Sequence, residues 1–183
     1  AFSDYARVLQ KTRINAKFLP EIKIPENIKI SSNAGDISPN STVVIAIPTK
    51  FLRETLRRFA DKNSKGDVIS LTKGKEVETL KRPSEIINEL LGKEPAVLSG
   101  PSISFEVAKS LPATVVVASG NEGQAKKAQE IFNTPSFRVY TSSDVVGVED
   151  GFATVSFSFK EQEDSIKTAI ISINTLGFLI FII

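Results

Sequence analysis

From residue 42 onward, short apolar runs alternate with stretches of helical periodicity. Residues 43–47 (VVIAI) form a β-branched run closed by Pro48, the pattern of a strand buried on both faces. Leu52, Leu56, Phe59 and Ala60 then recur on one helical face, with Arg53, Arg57 and Arg58 expected to turn outward. Residues 68–71 predict a second strand, followed by the loop Thr72-Lys73-Gly74. Pro83 and Ser84 open a helix whose inward face is Ile86, Ile87, Leu90 and Leu91, and Gly92 ends it. A third strand, 96–98, runs into Ser99-Gly100-Pro101-Ser102 and a short helix through Phe105 and Val107. Strand 113–118, helix 124–132 and strand 137–140 follow. The alternation predicts a parallel α/β sheet with crossover helices.

The two ends read differently. Residues 1–29 predict one weak helix, around 5–14, and then a loop paced by Pro20 and Pro25. After Glu149 the alternation stops, and Phe152, Phe157, Phe159, Phe178 and Phe181 put five of the chain's twelve Phe into the remaining stretch. No definite element is readable there. Residues 168–183 carry no charge, but the run falls short of the ~20 apolar residues that a membrane span needs. It is also interrupted by Ser172, Asn174 and Thr175, so no membrane span is expected.

Composition narrows the chemistry. The 183 residues are 41% hydrophobic and 24% charged, with a formal net charge of +2. That suits a folded domain with a real core, not a disordered chain. The mixed charges give no electrostatic footprint for nucleic acid. With no Cys and no His, thiol nucleophiles, disulfides, imidazole bases and Cys/His zinc sites are excluded, and no metal site is expected. The absence of Met, with Ala1 at the start, gives the expectation of a fragment. No signal peptide is visible in the first eighteen residues, which carry charges throughout.

In an open α/β sheet, ligands bind at the carboxyl ends of the strands. Three loops stand there: Pro48-Thr49-Lys50-Phe51, Thr72-Lys73-Gly74 and Ser99-Gly100-Pro101-Ser102. Lys73 directly follows a strand, where its ammonium would hold a phosphate or polarise a carbonyl, or else be a solvated loop lysine. The Ser99–Ser102 loop, just before a helix, offers free amides to an anion, or is an ordinary turn capped by Ser102. No G-x-G fingerprint of a dinucleotide site occurs. The sheet pattern alone does not choose between the absence of a dinucleotide and the absence of a first strand.

Several segments together carry a resemblance. They are Phe18-Leu19-Pro20 with Ile24-Pro25-Glu26-Asn27, the run 45–52 (IAIPTKFL), Thr72-Lys73-Gly74-Lys75-Glu76, the run 98–118 (LSGPSISFEVAKSLPATVVVA), and 140–149 (YTSSDVVGVE). In order and approximate spacing the set resembles the NAD(P)-dependent glycerol-3-phosphate dehydrogenases over residues 14–149. The resemblance implies a Rossmann-like, incomplete cofactor domain over 1–149, a divergent Phe/Ile-rich tail over 150–183, and a helical C-terminal domain of the family that this chain lacks. It implies a cytoplasmic oxidoreductase that interconverts glycerone phosphate and sn-glycerol 3-phosphate with NAD or NADP, for glycerophospholipid synthesis. The full-length protein would be a possible homodimer.

By the same resemblance, Phe51, Lys73 and Ser104 match cofactor-binding positions, and Lys73, Gly100 and Ser102 match substrate-binding positions. Ser104 stands where the family usually has Ala. The family's proton-transfer lysine, in a Gly-Ala-Leu-Lys-Asn run after Glu149, has no match in Asp150-Gly151-Phe152-Ala153-Thr154-Val155-Ser156, and Lys160 is too far along to replace it. The catalytic residue is therefore left unassigned. Two alternatives remain open: a non-catalytic remnant of this family, and another enzyme of the wider hydroxyacid and sugar-acid dehydrogenase group.

Overall fold

The computed structural model describes residues 2–58, 65–156, 169–173 and 178–182. Helix α1 (Phe2–Thr12) leads into a small antiparallel ribbon of β1 (Ile14–Asn15) and β2 (Leu19–Lys23), and then into β3 (Ile28–Ser31). A 3-10 turn, Ala34–Asp36, precedes β4 (Thr42–Ala46) and α2 (Thr49–Arg57). There follow β5 (Val68–Ser70), α3 (Pro83–Leu91), β6 (Ala96–Ser99), α4 (Ser104–Ala108), β7 (Ala113–Ala118), α5 (Glu122–Phe132), β8 (Phe137–Ser142) and α6 (Val145–Ser156). The last two strands are β9 (Ala169–Ile173) and β10 (Phe178–Ile182). Among the described residues, the main sheet has eight strands in the order β3-β9-β10-β4-β5-β6-β7-β8.

Strand β4 shows why an unbroken apolar run becomes a central strand. Its period-two alternation sends Val43 and Ile45, with Ile47 just beyond, into a cluster with Leu52 and Leu56 of α2, Val68, and Ile86 and Ile87 of α3. Val44 faces the other way, toward Ile69, Ala96, Leu98, Val115, Val117 and Val139, with Ala128 of α5 as cover. Parallel register pairs Ser70 with Val97, so Val97 shares the α2/α3 face. On that face Val97 packs with Ala118 and with Val148 of α6. Helices α2, α3 and α6 therefore cover one face of this half of the sheet, and α5 covers the other. Burying each large side chain here contributes about 1.5–3 kcal/mol.

The β4–β8 succession, with its intervening helices, stands as the sequence pattern predicts. The sheet is mixed, however: β4, β5 and β6 run parallel, but β7 pairs antiparallel to β6, and β8 then runs parallel to β7. The reason lies in α4, whose five residues cannot carry the chain back along the whole sheet as a crossover helix does. The chain turns back at the carboxyl end of β6, and β7 descends beside it.

Three expectations change. Residues 14–31 hold three short strands instead of a loop: Arg13, with φ 55°, ends α1, and Tyr5 Oη donates to Asn15 Oδ1 at 2.6 Å to fix the turn. Arg13 also donates to the carbonyls of Pro25 and Ile28, tying the ribbon to β3. The stretch after Glu149, which gave no readable element, continues α6 to Ser156 and supplies β9 and β10. Arg53, expected to face outward, is largely buried and forms a bidentate ion pair with Glu76, Nε–Oε1 2.8 Å and Nη2–Oε2 2.9 Å. Phe59, Ala60, Phe157, Phe159 and Lys160 lie outside the described residues.

Candidate functional site

The carboxyl edge of β4, β5 and β6 is built from chain turns that hold one another. At the end of β5 the chain passes through Thr72, Lys73 and Gly74; Gly74, at φ 88°, takes a left-handed conformation that a side chain would strain. The Lys73 carbonyl accepts a 2.5 Å hydrogen bond from Thr49 Oγ1, the first residue of α2. The Lys73 side chain reaches in the other direction, and Nζ donates to the Gly100 carbonyl at 2.9 Å. The same carbonyl accepts Ser102 N–H at 2.8 Å, which curls the 100–102 turn. One lysine thus joins the ends of three parallel strands.

Gly100 is required where it stands. A Cβ there would come within 2.9 Å of Thr114 O and of Val115 Cα on β7. Only a residue without a side chain lets the chain leave β6 while β7 returns against it. The close approach also aims the Gly100 carbonyl at Lys73.

Lys73 is half-buried, and burial pushes its ammonium below the ordinary lysine value. Of the three donors on an ammonium, the hydrogen bond to Gly100 occupies one, leaving two for an anionic or carbonyl oxygen. Beside it, Thr72 Oγ1 is buried and has no hydrogen-bond partner among the described residues. A buried hydroxyl of this kind is normally satisfied, so the loop has unused polar capacity next to its cation.

The other residues expected at the site lie on the same edge and make no side-chain hydrogen bond to Lys73 among the described residues. Phe51, in the first turn of α2, is half-buried against the cluster under that helix, with Lys50 Nζ 5.7 Å from its ring centre. Ser104 is exposed at the start of α4. Ser102 meets the site through the Gly100 carbonyl. Among the described residues there is no group of three or more acidic side chains that could hold a metal ion.

Sequence reasoning missed the groups that brace this edge. Glu76, just past the Lys73 loop, is buried, and Arg53 holds its carboxyl below the ordinary range, with Thr79 assisting. Arg53 also pairs with Glu89 at 2.7 Å, and Lys81 approaches the same carboxylate. These pairings hold Glu89 down to about 2. Glu149 on α6 is buried at the start of α3, accepting Ser84 N–H at 2.8 Å and Ser84 Oγ–H at 2.5 Å. Its burial raises the carboxyl, with Ser84 and Arg82 opposing. The partners of Glu149 are 65 residues away in the chain, and no local pattern announces them.

The sequence profile described as NAD-dependent glycerol-3-phosphate dehydrogenase N-terminus matches residues 2–125. The chain belongs to this family. It is 39% identical over 152 residues to a glycerol-3-phosphate dehydrogenase [NAD(P)+] of Chlorobium phaeobacteroides, covering 80% of this chain and 46% of that protein. It is 43% identical over 144 residues to the protein of the same name from Clostridium acetobutylicum, covering 77% and 43%. The crystal structure of glycerol-3-phosphate dehydrogenase from Coxiella burnetii superposes with a TM-score of 0.74 at 30% identity, over 80% of this chain and 46% of that one. The chain spans less than half the length of these family members, and what it shares with them is the Rossmann-like N-terminal domain. Among the described residues no helix is long and apolar enough to cross a membrane.

Proposed function

We propose that this chain is the cofactor-domain part of an oxidoreductase that interconverts glycerone phosphate and sn-glycerol 3-phosphate with NAD(H) or NADP(H). Residues 1–149 carry the segments of the cofactor domain, and 150–183 form a divergent tail that lends two strands to its sheet. The observation that carries the reading is the Lys73–Gly100 contact at the carboxyl edge, formed by two segments that resemble the family's loops. Reduction of a ketone develops negative charge on its oxygen, and a partly dehydrated ammonium with two spare donors stabilises that charge. The same ammonium suits a substrate phosphate.

Lys73, Gly100 and Ser102 are the proposed substrate-side residues, and Phe51, Lys73 and Ser104 the proposed cofactor-side residues. Their fit to a dinucleotide is one-sided. A cation, an aromatic ring and small residues at the strand ends suit its nicotinamide end. The pyrophosphate end needs a glycine-rich turn after a central strand, and the sequence contains no G-x-G. The isolated chain is accordingly expected to be inactive, and the activity is proposed for the full-length protein. We further propose a cytoplasmic, homodimeric enzyme that provides the glycerol backbone of phospholipids and engages neither nucleic acid nor membrane; the small net charge of +2 supports the former exclusion.

The test is NADH oxidation by the full-length protein with glycerone phosphate as substrate. Lys73→Ala should lower turnover on the order of a hundredfold or more. Near-normal turnover would refute the role given to Lys73. A full-length protein with no turnover at all would favour a non-catalytic remnant.

A further inference from the structure

In a doubly wound dinucleotide-binding sheet the strands stand in the order 3-2-1-4-5-6, and the phosphate-binding turn follows the first strand. Here β3 and β4 are consecutive in the chain, yet two strands separate them, in the order β3-β9-β10-β4-β5-β6. Strands β9 and β10 thus stand in the second and first positions. The slot is two strands wide, so at ~4.8 Å per strand the backbones of β3 and β4 are ~14 Å apart and cannot pair with each other.

The direction of β10 matches that place. It runs parallel to β4 and in register along its whole length, from Phe178 with Thr42 to Ile182 with Ala46. Its carboxyl end therefore lies on the same edge as Lys73. Strand β9 runs antiparallel to both neighbours, pairing Phe178 with Ile173 on β10 and Ile28 with Ile173 on β3. A second strand of the doubly wound order would run the other way. The peptide groups of β4 explain why the slot is filled. Val43 N–H donates to Asp67 O, and Ile45 O accepts from Leu71 N, both on the β5 side. The alternating Val44 groups face the slot, and with Val44 only 1% exposed they need a partner there.

We propose that β9 and β10 complete the sheet in place of its first two strands. While they are in place, no strand bearing a phosphate-binding turn can enter. The terminal pair and the pyrophosphate half of a dinucleotide site are alternative occupants of one slot. This inference holds for any dinucleotide and does not depend on the substrate proposed above.

Because the chain contains no cysteine, the arrangement can be trapped cleanly. Lys29 and Ser172 are register partners across the antiparallel β3–β9 pair, at a separation a disulfide spans. Mild oxidation of the double variant Lys29→Cys/Ser172→Cys should give an intramolecular disulfide in most molecules. The control Lys29→Cys/Ile171→Cys, one residue out of register and on the opposite face, should form it at least tenfold more slowly. The oxidised, locked chain should show no saturable NADH fluorescence change. Equal cross-linking in the two variants would overturn the slot assignment, and saturable NADH binding by the locked chain would overturn the exclusion. Either failure leaves the Lys73 reading standing, and a failure of the Lys73→Ala test leaves this one.

Discussion

Strand β4 has two neighbours, acquired in opposite ways. On one side it pairs with β5 across a single βα crossover, and α2 and α3 cover that junction with Leu52, Leu56, Ile86 and Ile87. On the other side it pairs with β10, more than 130 residues later in the chain. The first flank brings Thr49, Lys73 and Gly100 to one edge, because the strand ends there follow one another in sequence. The second flank joins β4 to β10 and, through β9, to β3. In this fold the local βα succession builds the Lys73 edge, and long-range pairing fills the other side of β4.

The largest expected effect breaks the first flank. Ile69 is buried on β5 between β4 and β6, packed with Val44, Ala96 and Leu98. Ile69→Ala should lower stability by about 2–5 kcal/mol in urea denaturation. A loss below ~1 kcal/mol would mean that β5 is not at the centre of the core.

A smaller effect sharpens how that flank spans the strand reversal at β6–β7. Glu149 joins α6 to the start of α3, and its burial raises the carboxyl above its ordinary 4.5. The folded chain therefore holds this proton at pH values where the unfolded chain has released it. The stability it contributes is full below about pH 4.5 and declines as pH rises through the raised value. Glu149→Gln keeps an acceptor for Ser84 N–H and does not titrate. It should change stability by about 1 kcal/mol or less, with a flatter profile above pH 4.5 in thermal melts at stepped pH. Parallel profiles for the two proteins would contradict the buried carboxyl.

The same contrast explains how far the sequence was readable. Strands β4 to β8 and helices α2, α3 and α5 are legible because both faces of the sheet are covered, so the β-branched runs and the 3.6-residue periodicity stand out. The β1–β2 ribbon is not, since Leu19-Pro20-Glu21-Ile22-Lys23 is mostly exposed and Pro20 reads as a loop. The runs AIISI and FLIFI of β9 and β10 have strand composition, but an unbroken apolar stretch carries no period to tell strand from helix. The reversal at β7 was legible only through the shortness of α4. At the site, the strand-end position of the 72–74 and 99–102 loops marked the edge, and the family resemblance pointed to Lys73, Gly100 and Ser102. Neither could reveal Arg53, Glu76 and Glu149, whose roles come from partners 23 to 67 residues away.

The β5 flank holds Lys73 half-buried against the Gly100 carbonyl, with two ammonium donors unspent. The measurement that tests this most directly is a pH titration of the lysine side-chain resonances by NMR, with Lys73 assigned through Lys73→Arg. Lys73 should titrate below the ordinary value of 10.5, while Lys126, paired with Glu122 on the surface of α5, should titrate above it. A Lys73 ammonium titrating at or above 10.5 would mean that the side chain is not dehydrated at this edge.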